Sequence, residues 1–162
     1  MEKAMIRAVT RRMEHRDIPA VFDLQSHSRG AAQWSRAAYE SVCGARQNEF
    51  AWVADRDGRV LGFLVAREIA KEMEILNLAV DPTARRQGIA SALLRHALSH
   101  ASENGATKVF LEVRSSNLTA QRFYQSHGFV SAGMRPNYYR DPAEAALLLA
   151  LTLSAAVTQN IT

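Results

Sequence analysis

The sequence predicts a mixed fold of the α/β (α+β) class: a central sheet of about seven strands with four helices, in the order β-α-α-β-β-β-α-β-α-β-β. Three observations carry it. Leu78-Ala79-Val80 end an apolar run that Asp81-Pro82 stops, and Ile89, Ala90, Leu93, Leu94, Ala97, Leu98 and Ala101 then recur at helical spacing. Lys108 to Arg114 is apolar enough for an interior strand, so strand, helix and parallel return make a βαβ unit. Asp57-Gly58 between two strand-like runs is a strong hairpin signal.

Taken in order, Met5 to Val9 alternates like a short first strand, and Asp17-Ile18-Pro19 starts a helix with Asp as cap and Pro in its first turn. Val21, Phe22, Leu24 and Gln25 carry that helix toward Ser28, and Gly30 breaks it. Ser35 caps a second short helix through Cys43, and the two helices are expected to form a flap. Glu49 to Ala54 and Arg59 to Ala66 form the hairpin, Lys71-Glu72 makes a break, and Met73 to Val80 is the next strand. Asn104-Gly105 ends the long helix. Asn117 caps a helix through His127, Gly128 ends it, and Phe129 to Met134 and Ala146 to Leu153 are the last strands. Residues 1–153 then read as a single domain, and 154–162, short of apolar anchors, as a loose tail.

The turn between strand and long helix is the candidate binding element. A helix N-terminus carries unpaired N–H groups and a partial positive charge, so a phosphate finds donors and potential together. Arg85 and Arg86 add charge there, Gly88 lets a ligand approach the backbone, and Ala90 keeps the next turn shallow. The segment Arg85, Arg86, Gln87, Gly88, Ile89, Ala90 thus reads as a pyrophosphate cradle, or as a solvated turn beginning a packed helix. Neither a nucleotide-binding phosphate loop nor a three-glycine dinucleotide fingerprint is present.

Composition removes other classes. No uninterrupted apolar run approaches the ~20 residues of a membrane span, and no secretion signal opens the chain. Cys43, the single cysteine, excludes an internal disulfide and a cysteine-based zinc cage, so a cytoplasmic location is expected. The net charge of +4 arises from 17 Arg and 3 Lys against 16 acids, scattered rather than striped. That suits an acidic cofactor or a partner lying near RNA better than direct nucleic-acid binding. His96 and His100 stand four apart on the long helix, but no third ligand is placed, so no metal site is expected.

Two side chains suit acid–base chemistry. Glu112 stands in the apolar run Val109-Phe110-Leu111-Glu112-Val113, where an unpaired carboxylate would be costly; it is either a base or the partner of Arg114 or Lys108. Glu72 and Glu74 are rival bases. Tyr124 shares a helix face with Ala120, Phe123 and His127, which suits core packing, yet a phenol can also act as a proton donor. Asn117 has a sufficient explanation as a cap.

Arg85-x-x-Gly88-x-Ala90 after a strand resembles motif A of the GNAT N-acetyltransferases, and the element order resembles that family over essentially the whole chain. The resemblance implies a GNAT fold as one N-acetyltransferase domain, with acetyl-CoA as cosubstrate and two strands splayed beside its site. It also implies pantetheine contacts from Leu78, Ala79 and Val80, and pyrophosphate contacts from the amides of Arg85 to Ala90. Leu111-Glu112-Val113-Arg114-x-x-Asn117-x-x-Ala120-x-x-x-Tyr124-x-x-x-Gly128-Phe129 resembles the segment marking bacterial ribosomal-protein alanine N-acetyltransferases. That similarity implies Glu112 as proton acceptor, Tyr124 as proton donor and Asn117 as a cofactor ligand, with a protein N-terminus as acceptor. Arg135-Pro136-Asn137-Tyr138-Tyr139 and Gln33-Trp34-Ser35 resemble the same group's acceptor-side segments, with Gln33 where Pro is usual and no acidic residue after Glu144.

An α-amine, with a pKa near 8, is about a tenth neutral at pH 7, whereas a lysine amine is far below one per cent neutral; both gain from a base. The rival readings are an acetyltransferase for a small amine or lysine side chain, and a CoA-binding sensor module without turnover.

Overall fold

The computed structural model describes residues 7–44 and 46–154. The strands are β1 (Val9–Arg12), β2 (Glu49–Arg56), β3 (Arg59–Ile69), β4 (Glu72–Val80), β5 (Lys108–Arg114), β6 (Val130–Arg140) and β7 (Ala143–Thr152). The α-helices are α1 (Ile18–Ser26), α2 (Arg36–Cys43), α3 (Ile89–Glu103) and α4 (Leu118–Ser126). The sheet is mixed, with strand order β1-β2-β3-β4-β5-β7-β6, and β4 pairs with β5 in parallel through Glu72↔Lys108, Met73↔Val109 and Glu74↔Phe110. The chain divides into two compact units, one of Met1–Arg67 and Ile75–Ala97, the other of Glu68–Glu74 and Leu98–Thr162.

In the first unit, β1 lies later than Met5 to Val9, pairing Val9↔Asp55 through Arg12↔Trp52; Met5 and Ile6 lie outside the described residues. The Arg11 guanidinium explains the shift. It bonds both Asp17 oxygens at 2.7 and 2.8 Å and Asp55 Oδ2 at 2.8 Å, tying β1 to β2 and to the turn before α1. Asp17 stands at the start of α1 as expected, but its carboxylate caps nothing there, being taken by Arg11 and by the Glu14 amide at 2.9 Å. Burial alone would push its carboxyl up; those bonds outweigh burial and leave it below the ordinary range.

The two helices expected as a flap instead form part of the core: Ile18, Val21, Leu24, Tyr39 and Val42 are buried against Ala51, Val53, Phe63, Val65 and Ala79. Each buried Ile, Leu, Val or Phe among them contributes about 1.5–3 kcal/mol by leaving water. Ser35 caps α2 as expected, its Oγ accepting from the Ala38 amide at 3.2 Å. On the opposite sheet face α3 packs over Gly62, where a Cβ would come within 3.0 Å of Ala79 O and Ile89 Cγ2 and 3.3 Å of Leu93 Cδ1. Glycine is required there by proximity. The β2–β3 hairpin turns at Asp57 (φ 54°) and Gly58 (φ 81°), the left-handed pair that a two-residue loop demands.

In the second unit, β5 alternates, with Val109, Leu111 and Val113 buried and Lys108, Phe110, Glu112 and Arg114 partly exposed. Its long register with β7 runs from Lys108↔Thr152 to Arg114↔Ala146. Both final strands outrun the expected ranges. β6 continues past Met134 to Arg140 and β7 begins at Ala143, because the hairpin persists through irregularities at Ser131/Gly133 and Arg135/Tyr139. β6 is the edge strand, exposed at every residue except Tyr139. Ser154 is exposed, and the rest of the expected loose tail, 155–162, lies outside the described residues.

Candidate functional site

In the first unit, the strand-to-helix turn has the form the spacing predicts. Asp81 leaves β4 with its amide bonded to Leu61 O at 2.8 Å. Its carboxylate accepts from the Thr83 amide and hydroxyl, both at 2.8 Å, and from Arg59 at 2.7 Å. The bonds from Thr83, reinforced by Arg59, hold the Asp81 carboxyl below its ordinary value. A short 3-10 turn, Pro82–Ala84, follows, and α3 begins only at Ile89.

Between them Arg86 (φ 61°) and Gly88 (φ 76°) adopt left-handed conformations on either side of Gln87. The first intrahelical bond is Ala92 N to Gly88 O at 3.0 Å, so the amides of Ile89 and Ala90 have no partner within the helix. Arg85 to Gly88 are exposed, and a Cβ on Gly88 would meet nothing within 4 Å. Gln87 Oε1 accepts from Arg56 Nη2 at 3.0 Å. Leu78 and Val80 are partly exposed on one face of β4, and Asn77 and Ala79 are buried on the other.

In the second unit, Glu112 lies on the partly exposed face of β5, its side chain 11% exposed, with Oε1 3.0 Å from Arg135 Nε of β6. The alternative partners, Arg114 and Lys108, are engaged otherwise. Arg114 bonds Glu144 at 3.3 Å and stands 4.1 Å over the Tyr139 ring; the Lys108 ammonium lies 5.7 Å over Phe110. The Tyr138 hydroxyl bonds Glu112, and that bond first, then burial, pushes the phenol up to about 12. A carboxylate flanked by a guanidinium and a phenol can hold a proton-accepting oxygen in a defined direction.

Tyr124 is buried on α4, with ring centroids 5.1 Å from Phe123 and 5.5 Å from Phe129. Burial pushes its phenol upward, so it stays protonated at neutral pH, as both a core tyrosine and a proton donor would. Asn117 Oδ1 accepts from the Ala120 amide at 3.1 Å, the predicted cap, which leaves its Nδ2 to any ligand role. Of the rival bases, Glu72 and Glu74 both lie on the partly exposed face of β4, Glu74 in register with Phe110.

His96 packs edge-on to Trp52 at 5.6 Å, whereas His100 Nε2 meets Asn104 at 2.8 Å. Among the described residues no group of three or more His, Cys, Asp or Glu converges for a metal, and no helix is long and apolar enough to cross a membrane. An open groove of about 590 Å³ runs along α2 between Trp34 and Glu49, and of its lining Trp34 and Ser35 belong to a segment singled out by sequence.

Sequence reasoning missed the pairing of Arg135 and Tyr138 with Glu112, which depends on β6 lying two strands from β5. It also missed a buried polar cluster in the first unit, Gln25, Tyr39 and Asn77. A signal for the latter exists: Asn77 interrupts the apolar run Ile75-Leu76-Asn77-Leu78-Ala79.

Residues 3–129 match the model of the acetyltransferase (GNAT) family. The ribosomal protein bS18-alanine N-acetyltransferase of Escherichia coli (strain K12) is 34% identical over 144 residues, 88% of this chain and 95% of that protein. The enzyme of that name from Haemophilus ducreyi is 32% identical over 123 residues, 74% of this chain and 83% of its own. Among solved structures, the ribosomal-protein-S18-alanine N-acetyltransferase from Escherichia coli matches with a TM-score of 0.82 at 31% identity, covering 96% of this chain and 99% of that one. Ard1 from Thermoplasma volcanium matches at 0.81 and 30%, covering 92% and 99%.

Proposed function

Because the chain belongs to the acetyltransferase (GNAT) family and is an N-acetyltransferase, we propose that it acetylates the α-amine of a protein N-terminus, an N-terminal alanine of a small-subunit ribosomal protein, in the cytoplasm. Residues 1–153 act as one acetyltransferase domain in this reading. The observation that carries it is Glu112, a mostly buried carboxylate oriented by Arg135 and Tyr138, in a chain a third identical to enzymes named for that substrate.

Acetyl-CoA supplies the activated acetyl group as a thioester. The open turn of Arg85, Arg86, Gln87, Gly88, Ile89 and Ala90 fits its diphosphate: the amides of Ile89 and Ala90 lack helical partners, and nothing stands where a Gly88 side chain would be. The backbone of Leu78, Ala79 and Val80 would hold the pantetheine amides, the Val80 N–H would serve as the donor to the thioester carbonyl oxygen, and Asn117 Nδ2 would add a further donor. Glu112 would take a proton from the acceptor's ammonium, the freed amine would form the N–C bond as the C–S bond breaks, and Tyr124, protonated in its buried site, would give its proton to the leaving sulfur and regain one from the product nitrogen.

Mass spectrometry with acetyl-CoA and peptides beginning with alanine, with and without a blocked α-amine, tests this. Acetylation that needs the free α-amine is expected; acetylation surviving the block would transfer the reading to lysine or small amines. Coenzyme A binding without turnover on any acceptor would leave a sensor module.

A further inference from the structure

Three buried polar side chains in the first unit join the loop between α1 and α2 to β4. Gln25, Tyr39 and Asn77 are 2%, 0% and 5% exposed. Asn77 reads the backbone of Ala32 with both ends of its amide, Nδ2 donating to Ala32 O at 2.9 Å and Oδ1 accepting from Ala32 N at 3.1 Å. Gln25 does the same two residues on, Nε2 donating to Trp34 O at 2.6 Å and Oε1 accepting from Trp34 N at 2.9 Å. The Tyr39 hydroxyl links the two amides, accepting from Asn77 Nδ2 at 3.3 Å and donating to Gln25 Oε1 at 2.5 Å. Gln33, held between the clamped residues, folds back to donate to Gln25 O at 2.8 Å.

This arrangement sets a loop against one strand in a single register. A loop can be covered by apolar packing alone, whereas buried amides must find every partner or cost stability. The strand so gripped is the one whose next residues are Leu78, Ala79 and Val80. The clamp lies on the β4 face shared with α1 and α2, opposite the face on which α3 packs and at whose start the diphosphate turn lies. We propose that Gln25, Tyr39 and Asn77 are positioning residues that hold Ala32 to Trp34 as the wall receiving the acceptor's first residue, so that they govern acceptor recognition and leave the donor alone. The inference rests on the N-terminal reading above, with Trp34, the last clamped residue, lining the open groove along α2.

The test is steady-state kinetics of Tyr39→Phe, with the alanine peptide varied at saturating acetyl-CoA and coenzyme A affinity measured by calorimetry. Losing the linking hydroxyl is expected to raise KM for the peptide about five- to tenfold, with kcat within about twofold and coenzyme A Kd unchanged. A KM that stays put while only the melting temperature falls overturns the proposal, as does an equal shift in coenzyme A Kd. Should Tyr39→Phe not fold, Gln25→Met, which cuts the Trp34 clamp instead, decides by the same ratio. The wild type is scored first on the alanine peptide, then on a lysine side chain and a small amine. Turnover on a different acceptor overturns only the N-terminal reading, and the KM ratio is then taken on that acceptor; no turnover on any of them overturns both.

Discussion

The turn from β4 into α3 and the surroundings of Glu112 do opposite things with the same kinds of residue. The turn is made of backbone. The donors proposed for it are amides, its shape comes from left-handed Arg86 and Gly88, its residues Arg85 to Gly88 are exposed, and Gln87 is held by Arg56. The Glu112 cluster is made of side chains drawn from β5 and β6, and its geometry holds only while Arg135 and Tyr138 stay in place. A backbone site tolerates side-chain change and fails when a dihedral is denied. A side-chain site fails atom by atom.

The sharpest break in that contrast is Glu112→Gln, which keeps the shape and removes the basic oxygen. Turnover should fall about 100-fold or more, with coenzyme A affinity unchanged by calorimetry. An unchanged rate would take Glu112 out of the mechanism. Asp17→Asn removes the carboxylate that Arg11 grips in the frame of the first unit, and should cost about 2–3 kcal/mol in urea unfolding. The sign of its pH dependence follows from the depressed carboxyl. The stability it lends is present above the ordinary value of 3.8 and is lost as pH falls through the lower folded value, a loss the Asn variant should not show.

Gly88→Val denies the left-handed dihedral rather than any contact, since a Cβ there meets open space. About 1–2 kcal/mol of strain is expected, together with about tenfold weaker coenzyme A binding. An Arg86→Ala change, which removes charge and keeps the backbone, should cost binding less than that. Tyr138→Phe should lower turnover only severalfold, because Arg135 still holds Glu112, and should leave donor binding intact. The smallest effect is Ser28→Ala: the Ser28 hydroxyl is buried without a partner, so its loss should leave stability within about 1 kcal/mol of the wild type or slightly above it.

Much of the frame was legible from local chemistry. Ser35 and Asn117 cap the helices they were expected to cap, Asp57-Gly58 turns its hairpin, and β5 occupies the predicted run, because each depends on residues within a few positions. The failures are all non-local. The first strand slid to Val9–Arg12 because Arg11 reaches Asp17 and Asp55; Asp17 gave up its cap for the same reason; and β6 outran its apolar segment because β7 was there to pair with it. The break expected at Lys71-Glu72 falls one residue earlier, at Ala70 (φ 51°) and Lys71 (φ 64°), left-handed residues that carry none of the usual glycine or asparagine signal.

What the sequence by itself determined is the strand-to-helix turn proposed to receive the phosphate, since a strand end, a stop, Gly88 and a helical period suffice to place it between β4 and α3. Tertiary structure alone decided who stands beside Glu112 and what binds Asn77. Arg135 lies 23 positions from Glu112 and Ala32 lies 45 from Asn77, distances over which no local propensity acts and only the packing of strands and helices can bring partners within 3 Å or so.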